Sequence, residues 1–183
     1  MGADNINWQR LLTAMHYYNA MTYKTIDLDW TMDVSTSNIT KPFGRKDFFI
    51  NDRALVASGE QSFIEMMINN QLKSGLYSGI TPCFRDEYEL DNLHSNYFMK
   101  VELIDTLNPN KKGLDSMITC ALNFYSQYLD VRVIETQDEM YDIIDVKNGI
   151  ELGSYGTRCY KDLKWVFGTG LAEPRLSKVL KMQ

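Results

Sequence analysis

The stretch CFRDEYELDNLHSNYFMKVE, residues 83–102, has apolar side chains toward both ends and a polar middle. Residues 76–85 and residues 96–105 each predict a strand, and the polar connection between them is typical of a loop. Two strands that follow each other closely in sequence pair most simply as antiparallel neighbours. We therefore predict a hairpin with a long loop.

One face of this hairpin collects charged groups and an aromatic ring. Side chains two residues apart on an extended chain point to the same side, so Arg85 shares a face with Glu87. Phe98, Lys100 and Glu102 share a face on the second strand, above an apolar underside. Such a face suits a nucleotide, with arginine for a phosphate, a ring for a base and a carboxylate for an amine or a metal. A solvated sheet face with cross-strand ion pairs explains the same spacing, so both interpretations stay open.

The segments around the hairpin predict further helices and strands. Asn7 is a candidate N-cap for a helix over residues 7–23, and residues 25–34 alternate between apolar and polar side chains as a strand does. Further helices are predicted over residues 60–73, 114–125 and 173–181, and short strands within 48–57, 131–135, 139–146, 150–155 and 163–167. Because strands outnumber helices and are often neighbours in sequence, we predict an α+β fold with a central antiparallel sheet flanked by helices.

Two segments with closely spaced glycines are further candidates for ligand binding. They are ELGSYGTR, residues 151–158, and GTGLAEPR, residues 168–175. Glycines ahead of a helix let the backbone approach a ligand, and a helix N-terminus favours an anion. Neither segment matches the phosphate-binding P-loop or the glycine pattern of dinucleotide-binding folds. Taken alone, these glycines are interpreted as ordinary turns.

The composition is that of one acidic globular domain. The 183 residues suit a single domain over residues 1–183, and 44% hydrophobic residues suffice for a core. The net charge of -5 disfavours extended nucleic-acid binding, which depends on Lys and Arg. Three separated cysteines and two histidines do not match a zinc site, and predict free thiols in a reducing compartment. No apolar run suits a signal peptide or a membrane span, so we expect a cytoplasmic protein without membrane association.

Several segments resemble the motifs of class II aminoacyl-tRNA synthetases, in the order in which that family has them. RDE at residues 85–87, followed by YFMKVE at 97–102, is similar to motif 2, and GTGLAEPRL at 168–176 is similar to motif 3. The N-terminal helix, the strand over 25–34 and Pro42 resemble the motif 1 region, where family members dimerise. Residues 58–61 lie where aspartyl- and asparaginyl-type members bind the amino acid, and ELGSYGTR also resembles ammonia-dependent asparagine synthetase.

The resemblance implies a role for each candidate site residue. Arg85 is expected to hold the α-phosphate of ATP, Phe98 to stack on adenine, and Arg175 to hold the γ-phosphate. Arg85 and Arg175 are the implied catalytic residues, because the reaction needs phosphate charge neutralised and requires no side-chain nucleophile. Glu102 and Glu151 are the implied ligands of Mg²⁺ or partners of a substrate amino group. The implied sets are Arg85, Glu87, Phe98, Glu151 and Arg175 for ATP, and Ser58, Glu60, Gln61, Lys100 and Glu102 for the substrate.

We therefore expect an ATP- and Mg²⁺-dependent ligase that adenylates an amino acid or a related carboxylate. The acyl group would pass to an unidentified acceptor, and the chain would form a homodimer through its N-terminal helix and the strand that follows. Ala172 stands where motif 3 has its third glycine, and no anticodon-binding domain is recognised, which disfavours tRNA charging more than ATP binding. One alternative is a non-catalytic paralogue that senses an amino acid or nucleotide and regulates a partner. Another is a synthetase fragment that works with a separate subunit.

Overall fold

The computed structural model describes residues 6–87, 90–91 and 93–183. Its helices are α1 (Trp8–Ala20), α2 (Val34–Thr40), α3 (Gly59–Ile68), α4 (Lys111–Tyr125) and α5 (Arg175–Leu180). Its strands are β1 (Lys24–Thr25), β2 (Thr31–Met32), β3 (Phe49–Ile50), β4 (Arg53–Leu55), β5 (Leu76–Phe84), β6 (Tyr97–Asp105), β7 (Val131–Gln137), β8 (Met140–Asp145), β9 (Glu151–Tyr160) and β10 (Leu163–Glu173).

The strands form a large sheet and a small one. The large sheet has seven strands in the order β1-β5-β6-β10-β9-β8-β7, and the small sheet has the order β2-β4-β3. Strand β1 runs parallel to β5, and the other pairings in the described part of the chain are antiparallel. With helices packed against this sheet, the predicted α+β class is confirmed.

Helices cover both faces of the large sheet. Helices α1 and α4 pack on one face, where a core forms from fully buried side chains that include Leu11, Tyr18, Leu114, Phe124, Val101 and Leu171. Helix α3 packs on the opposite face, where Phe63 and Ile64 meet Ile104 and Trp165 of the sheet. Burying one large apolar side chain of this kind stabilises the folded state by about 1.5–3 kcal/mol relative to leaving it exposed. The two cores therefore stabilise the packing of helices on both faces of the sheet. The α3 face is the one that carries the polar residues of β6.

The predicted hairpin and its two faces are confirmed. Strands β5 and β6 pair antiparallel, with Thr81 opposite Lys100 and Gly79 opposite Glu102. Val101 faces the core under α1 and α4, whereas Lys100 and Glu102 face the α3 side. Strand β5 ends at Phe84, so residues 85–87 lie in the connecting loop.

The prediction of one strand over residues 25–34 is wrong. The chain forms β1 beside β5 in the large sheet, crosses over, and forms β2 beside β4 in the small sheet. Its alternating pattern therefore serves two cores, with Leu28 buried under α3 and Met32 buried against the small sheet. Trp30 lies between them with 57% of its surface exposed.

Helix α2 was not predicted from the sequence. Its residues, VSTSNIT, include β-branched side chains that are weak helix formers. Tertiary contact supports its start, because the carboxylate of Glu65 on α3 accepts a hydrogen bond from the backbone N–H of Asp33 at 2.6 Å. A helix that depends on such a tertiary contact cannot be predicted from the helix propensities of its own residues.

The interpretation of the two glycine segments as turns is also wrong. Residues 151–158 lie within β9, and residues 168–173 lie within β10, which pair as a long antiparallel hairpin. Glycine weakens a strand interior unless something packs closely against it. Side chains that pack closely against these glycines must therefore explain why glycine stands at these strand positions. The final helix begins at Arg175, after the turn that contains Pro174.

Helix α1 begins where the sequence predicted. The side chain of Asn7 accepts a hydrogen bond from the backbone N–H of Arg10 at 2.9 Å, which makes Asn7 the N-cap. The helix ends at Ala20, and the left-handed backbone of Thr22, with φ of 73°, stops it from continuing. Among the described residues, no helix is both long and apolar enough to cross a membrane.

Candidate functional site

A cleft of about 380 Å³ opens on the α3 face of the large sheet. Its floor is formed by side chains of β6, β9 and β10. Its walls are formed by the start of α3, by residues 40–42, 45–47, 84–87 and 93–95, and by the turn into α5. The cleft is lined by every predicted site residue except Glu102, namely Ser58, Glu60, Gln61, Arg85, Glu87, Phe98, Lys100, Glu151 and Arg175. Folding thus brings residues from four distant segments to one cavity.

Arg85 is anchored beside an aromatic ring. Its Nε donates a hydrogen bond to the carbonyl of Ala57 at 3.0 Å, and its guanidinium carbon lies 4.9 Å from the centroid of the Phe98 ring. Its backbone N–H donates to the carbonyl of Asn96 at 3.0 Å, which continues the hairpin past the end of β5. A guanidinium held against a ring can serve an anion that is attached to a planar group.

Lys100 and Glu102 form an ion pair in the floor. Nζ of Lys100 lies 3.0 Å from Oε1 of Glu102, and Oε2 of Glu102 accepts a hydrogen bond from the Ser58 hydroxyl at 2.6 Å. Glu102 has no exposed surface, whereas Lys100 reaches the cleft. With both oxygens engaged, Glu102 orients Lys100 and Ser58 from below the floor.

Arg175 faces the cleft from the opposite wall, at the start of α5. Its Nη1 lies 3.4 Å from Oε1 of Glu151 and 3.3 Å from the Glu151 carbonyl oxygen. The Glu151 side chain is 45% exposed, and a long contact between solvated charges contributes little stability. Arg175 can therefore exchange Glu151 for another anion at small cost.

Arg158 is a cleft residue that the predicted site set lacks. Its Nη1 lies 2.5 Å from Oε2 of Glu60, and the indole N–H of Trp165 donates to Oε1 of Glu60 at 2.7 Å. Burial raises the pKa of Glu60, and Arg158 and Trp165 oppose that rise by favouring the carboxylate. Arg158 also lies 4.1 Å from the centroid of the Phe167 ring. Glu60 thus holds Arg158 in place, and the only sequence signal for Arg158 was its position at the end of ELGSYGTR.

Glu87 belongs to a contact between two loops at the cleft. Nη2 of Arg45 lies 3.5 Å from Oε2 of Glu87, and Nη1 of Arg45 donates to the carbonyl of Asp86. The backbone N–H of Lys46 donates to the Asp86 carboxylate at 3.3 Å. Arg45 and Lys46 line the cleft, and sequence reasoning missed both because their partners lie far along the chain.

Gln61 stabilises the turn that leads into α3. It is 2% exposed, its Oε1 accepts from the backbone N–H of Ala57 at 2.8 Å, and its Nε2 donates to the carbonyl of Ser37 at 3.4 Å. These bonds fix the backbone from which Ser58 and Glu60 project. Gln61 also lines the cleft, and its predicted contact with the substrate stays a prediction.

The two predicted metal ligands lie in different parts of the site. Glu102 bonds to Lys100 and Ser58, whereas Glu151 contacts Arg175. In the described part of the chain, no group of three or more His, Cys, Asp or Glu side chains is arranged to hold a metal ion alone. Mg²⁺ is commonly held by one or two carboxylates together with substrate phosphates, and the half-exposed Glu151 fits that arrangement. The metal roles of Glu102 and Glu151 stay predictions.

No protein-family model and no curated protein matches the chain, but solved structures do. The cytoplasmic serine-tRNA ligase from Naegleria fowleri, in complex with AMP, aligns with a TM-score of 0.71 and 17% identity, over 92% of this chain and 46% of that chain. The seryl-tRNA synthetase from Pyrococcus horikoshii, complexed with ATP, aligns with a TM-score of 0.71 and 17% identity, over 91% of this chain and 48% of that chain. A pyrrolysyl-tRNA synthetase from Desulfitobacterium hafniense aligns with a TM-score of 0.70 and 14% identity, over 98% of this chain and 70% of that chain.

These similarities establish the fold. The chain spans about half the length of the two serine enzymes, which are 17% identical to it. Its antiparallel-dominated sheet flanked by helices is the architecture of class II aminoacyl-tRNA synthetase catalytic domains.

Proposed function

We propose that the protein activates an amino acid with ATP. In this reaction a carboxylate oxygen of the amino acid attacks the α-phosphorus, the bond from that phosphorus to pyrophosphate breaks, and an aminoacyl adenylate forms. The acyl group then passes to an acceptor that we leave open. The observation that carries the proposal is that Arg85, Phe98 and Arg175 line one cleft. The class II fold supports it, as do the AMP and ATP complexes of the two serine enzymes.

The two arginines are assigned to the two ends of the phosphate chain. The reaction brings an anionic carboxylate to an anionic triphosphate, so positive charge must already be in place where charge accumulates. We assign Arg85 to the α-phosphate because it is anchored beside the proposed adenine site. We assign Arg175 to the γ-phosphate because its contact with Glu151 is long and exchangeable. The planar fork of each guanidinium suits two phosphate oxygens.

Phe98 is the proposed stacking partner of adenine. The Arg85 guanidinium now lies on this ring, and its hydrogen bond to Ala57 uses only Nε. We propose that the guanidinium turns about this anchor toward the α-phosphate when adenine occupies the ring. Glu87, held by Arg45, is the proposed acceptor for the adenine amino group.

Glu151 is the proposed protein ligand for Mg²⁺. The ion, when bound with ATP, neutralises phosphate charge. Binding by Glu151 would also release Arg175 for the γ-phosphate, because their contact is the 3.4 Å pair described above. Glu102 would first have to release Lys100 and Ser58, so we propose that its role is to orient them.

Arg158 favours an amino acid with an acidic side chain or its amide. A guanidinium has five N–H donors, and the contact with Glu60 goes through Nη1. Because both Glu60 oxygens are engaged, Glu60 cannot easily accept a substrate amine, whereas the remaining donors of Arg158 suit a carboxylate. Lys100 adds a second cation to the cleft. The resemblance of ELGSYGTR to ammonia-dependent asparagine synthetase supports the same substrate class.

The test is ATP–pyrophosphate exchange with each amino acid in turn, in the presence of Mg²⁺ and without an acceptor. We expect exchange above background with one or a few acidic amino acids or their amides, and its loss in the Arg85→Ala variant. If no amino acid supports exchange while ATP still raises the melting temperature, the ligand-sensing paralogue becomes the better explanation. If ATP does not stabilise the protein at all, only the fold is shared with the synthetases.

A further inference from the structure

Strand β10 contains one extra residue where it crosses the cleft. Thr169 pairs with Glu102 of β6, and the next paired residue, Leu171, faces Val101, so Gly170 is the bulged residue. A bulge inserts one residue into one strand and leaves a local break in the hydrogen-bond ladder. This break lies directly beneath the proposed ATP site.

The bulge decides which side chains of β10 face the cleft. Because side chains alternate along a strand, one extra residue moves everything after it to the other face. Thr169 faces the cleft before the bulge, and Ala172, opposite Lys100, faces it afterwards. Leu171 is sent into the core, where it has no exposed surface. The direction in which the chain then reaches Arg175 therefore depends on this single inserted residue.

Buried tyrosines hold the backbone at the bulge. The hydroxyl of Tyr18, on α1, donates to the carbonyl of Gly170 at 2.9 Å, and the hydroxyl of Tyr155, on β9, donates to the carbonyl of Thr169 at 2.6 Å. Burial raises the pKa of both tyrosines well above the usual value, so both remain protonated donors near neutral pH. These bonds satisfy carbonyl groups that a regular ladder would have paired.

The same device recurs in β9. Pairing with β8 shifts between Gly153 and Glu151, which makes Leu152 the extra residue. The buried hydroxyl of Tyr125, on α4, donates to the carbonyl of Leu152 at 2.9 Å. Two bulges beneath one cleft are thus each held by tyrosine hydroxyls in the core, and Glu151 stands next to the second.

The glycines of β10 make room for these rings. A Cβ at Gly168 would lie 2.4 Å from Cδ1 of Tyr155, and a Cβ at Gly170 would lie 2.8 Å from Cε2 of Tyr18. Real Cβ atoms essentially never lie within 3.0 Å of such neighbours, so a side chain at either position would require the tyrosine ring to shift. The pattern Gly168-x-Gly170 therefore serves the tyrosines that lie under the strand.

We propose that Tyr18, Tyr125 and Tyr155, the bulge tyrosines, are positioning residues for the activation of the amino acid by ATP. Their hydroxyls hold the two bulges and, through them, the directions of Thr169, Arg175 and Glu151. This role rests on the proposed function, because it assigns a catalytic consequence to a feature of the core. None of the three side chains lines the cleft.

The test compares Tyr18→Phe and Tyr125→Phe with the matched control Tyr77→Phe. Each variant keeps its ring and loses one hydroxyl, and Tyr77 also donates to a backbone carbonyl, that of Lys73, at 2.9 Å. We expect kcat for pyrophosphate exchange to fall about tenfold or more in the two bulge variants, with a smaller change in KM for ATP, because misplaced groups act mainly in the transition state. The control should keep both constants.

A second measurement does not depend on activity. Hydrogen–deuterium exchange of residues 168–172 should become about tenfold faster in Tyr18→Phe, and that of residues 151–153 in Tyr125→Phe, while Tyr77→Phe leaves both segments unchanged. Unchanged exchange in these segments overturns the proposal, whether or not the enzyme is active. Faster exchange with an unchanged kcat overturns it as well, because the bulges would then be mobile without consequence. A wild-type protein without pyrophosphate exchange sinks the proposed function instead, and the deuterium measurement still decides whether the hydroxyls hold the bulges.

Discussion

The guanidinium of Arg10 lies 2.5 Å from the carboxylate of Glu173, and this ion pair joins the first helix to the end of β10. Glu173 is fully buried, and its second carboxylate oxygen has no hydrogen-bond partner among the described residues. Arg10 also donates to the hydroxyl of Ser177 at 2.9 Å. Because Glu173 lies two residues before Arg175, the pair connects α1 to the cleft wall that contains Arg175, the residue assigned to the γ-phosphate.

Removing Arg10 should destabilise the whole domain. In Arg10→Ala, the buried Glu173 loses its charged partner, and breaking a buried pair in this way costs about 3–5 kcal/mol of unfolding free energy. Urea denaturation followed by circular dichroism measures this loss. Lys111→Ala is the control, because its contacts with Asp115 and with the hydroxyl and ring of Tyr141 are exposed and their loss should change the denaturation midpoint little. Equal midpoints for the two variants would argue that Arg10 does not hold Glu173 in solution.

Replacing the ring of Phe98 should weaken ATP binding. Loss of a stacked base costs about 1–3 kcal/mol of binding free energy, so the dissociation constant for ATP in Phe98→Ala should rise accordingly. Isothermal titration calorimetry with Mg·ATP measures this change. Phe49→Ala removes a ring that is 54% exposed on β3, outside the cleft, and should bind ATP as the wild type does. Undiminished affinity in Phe98→Ala would exclude stacking on this ring.

The hairpin could be predicted because one face of its strands is consistently apolar and the other is polar. Val101 must be apolar to pack under α1, and Lys100 and Glu102 can be polar because they face the cleft side, so the alternation has a period of two throughout. Residues 25–34 alternate equally well, yet this segment divides between two sheets. Periodicity reports burial on one side, and it does not report which sheet supplies the partner.

The glycine segments and part of the site could not be predicted from local sequence. Position 170 accommodates glycine within a strand because the ring of Tyr18 occupies the space that a side chain would need. These two residues are far apart in the chain. The oxygens of Glu60 accept hydrogen bonds from Arg158 and Trp165, which the sequence did not indicate, and the predicted contact of Glu60 with the substrate stays a prediction. Contacts of this kind are set by tertiary packing, for which a single sequence contains no periodic signal.

A homodimer through α1 and the segment over residues 25–34 remains a prediction. Trp8, Leu12 and Met21 are 56%, 52% and 47% exposed on or next to this helix, which leaves apolar surface for a second copy. Light scattering at micromolar concentration should give the mass of a dimer, and Leu12→Asp should shift it toward the monomer. Leu107→Asp changes a leucine that is 56% exposed outside α1 and should not alter the mass. A monomeric wild-type protein would contradict the prediction.

Arg158 should govern the choice of amino acid. In Arg158→Ala, we expect the KM for an acidic amino acid to rise by about tenfold to a hundredfold, since a hydrogen bond to a charged group contributes about 1.5–3 kcal/mol. The KM for ATP should stay close to the wild-type value in the same exchange assay. A matched variant is Lys161→Ala, which removes a cation from the turn between β9 and β10, away from the cleft lining. If both constants of Arg158→Ala change together, the residue supports the cleft as a whole and does not select the side chain.

Arg85 and Arg175 should serve the chemical step with little effect on stability. A purely structural Arg85 would form an ion pair with Glu87 or Glu102, the carboxylates on its predicted face. In the structure, Glu87 pairs with Arg45 and Glu102 pairs with Lys100. Arg85→Ala should therefore lower the adenylation rate by about a hundredfold or more, as losing one stabilising donor does. Its melting temperature should fall by only about 2–4 °C, the shift expected for one hydrogen bond of about 1 kcal/mol. Lysine at position 85 or 175 should restore little activity, because it keeps the charge and loses the planar fork. The opposite pattern, early melting without ligand and a full ATP-induced rise in melting temperature, would make Arg85 a structural residue and remove the adenylation proposal.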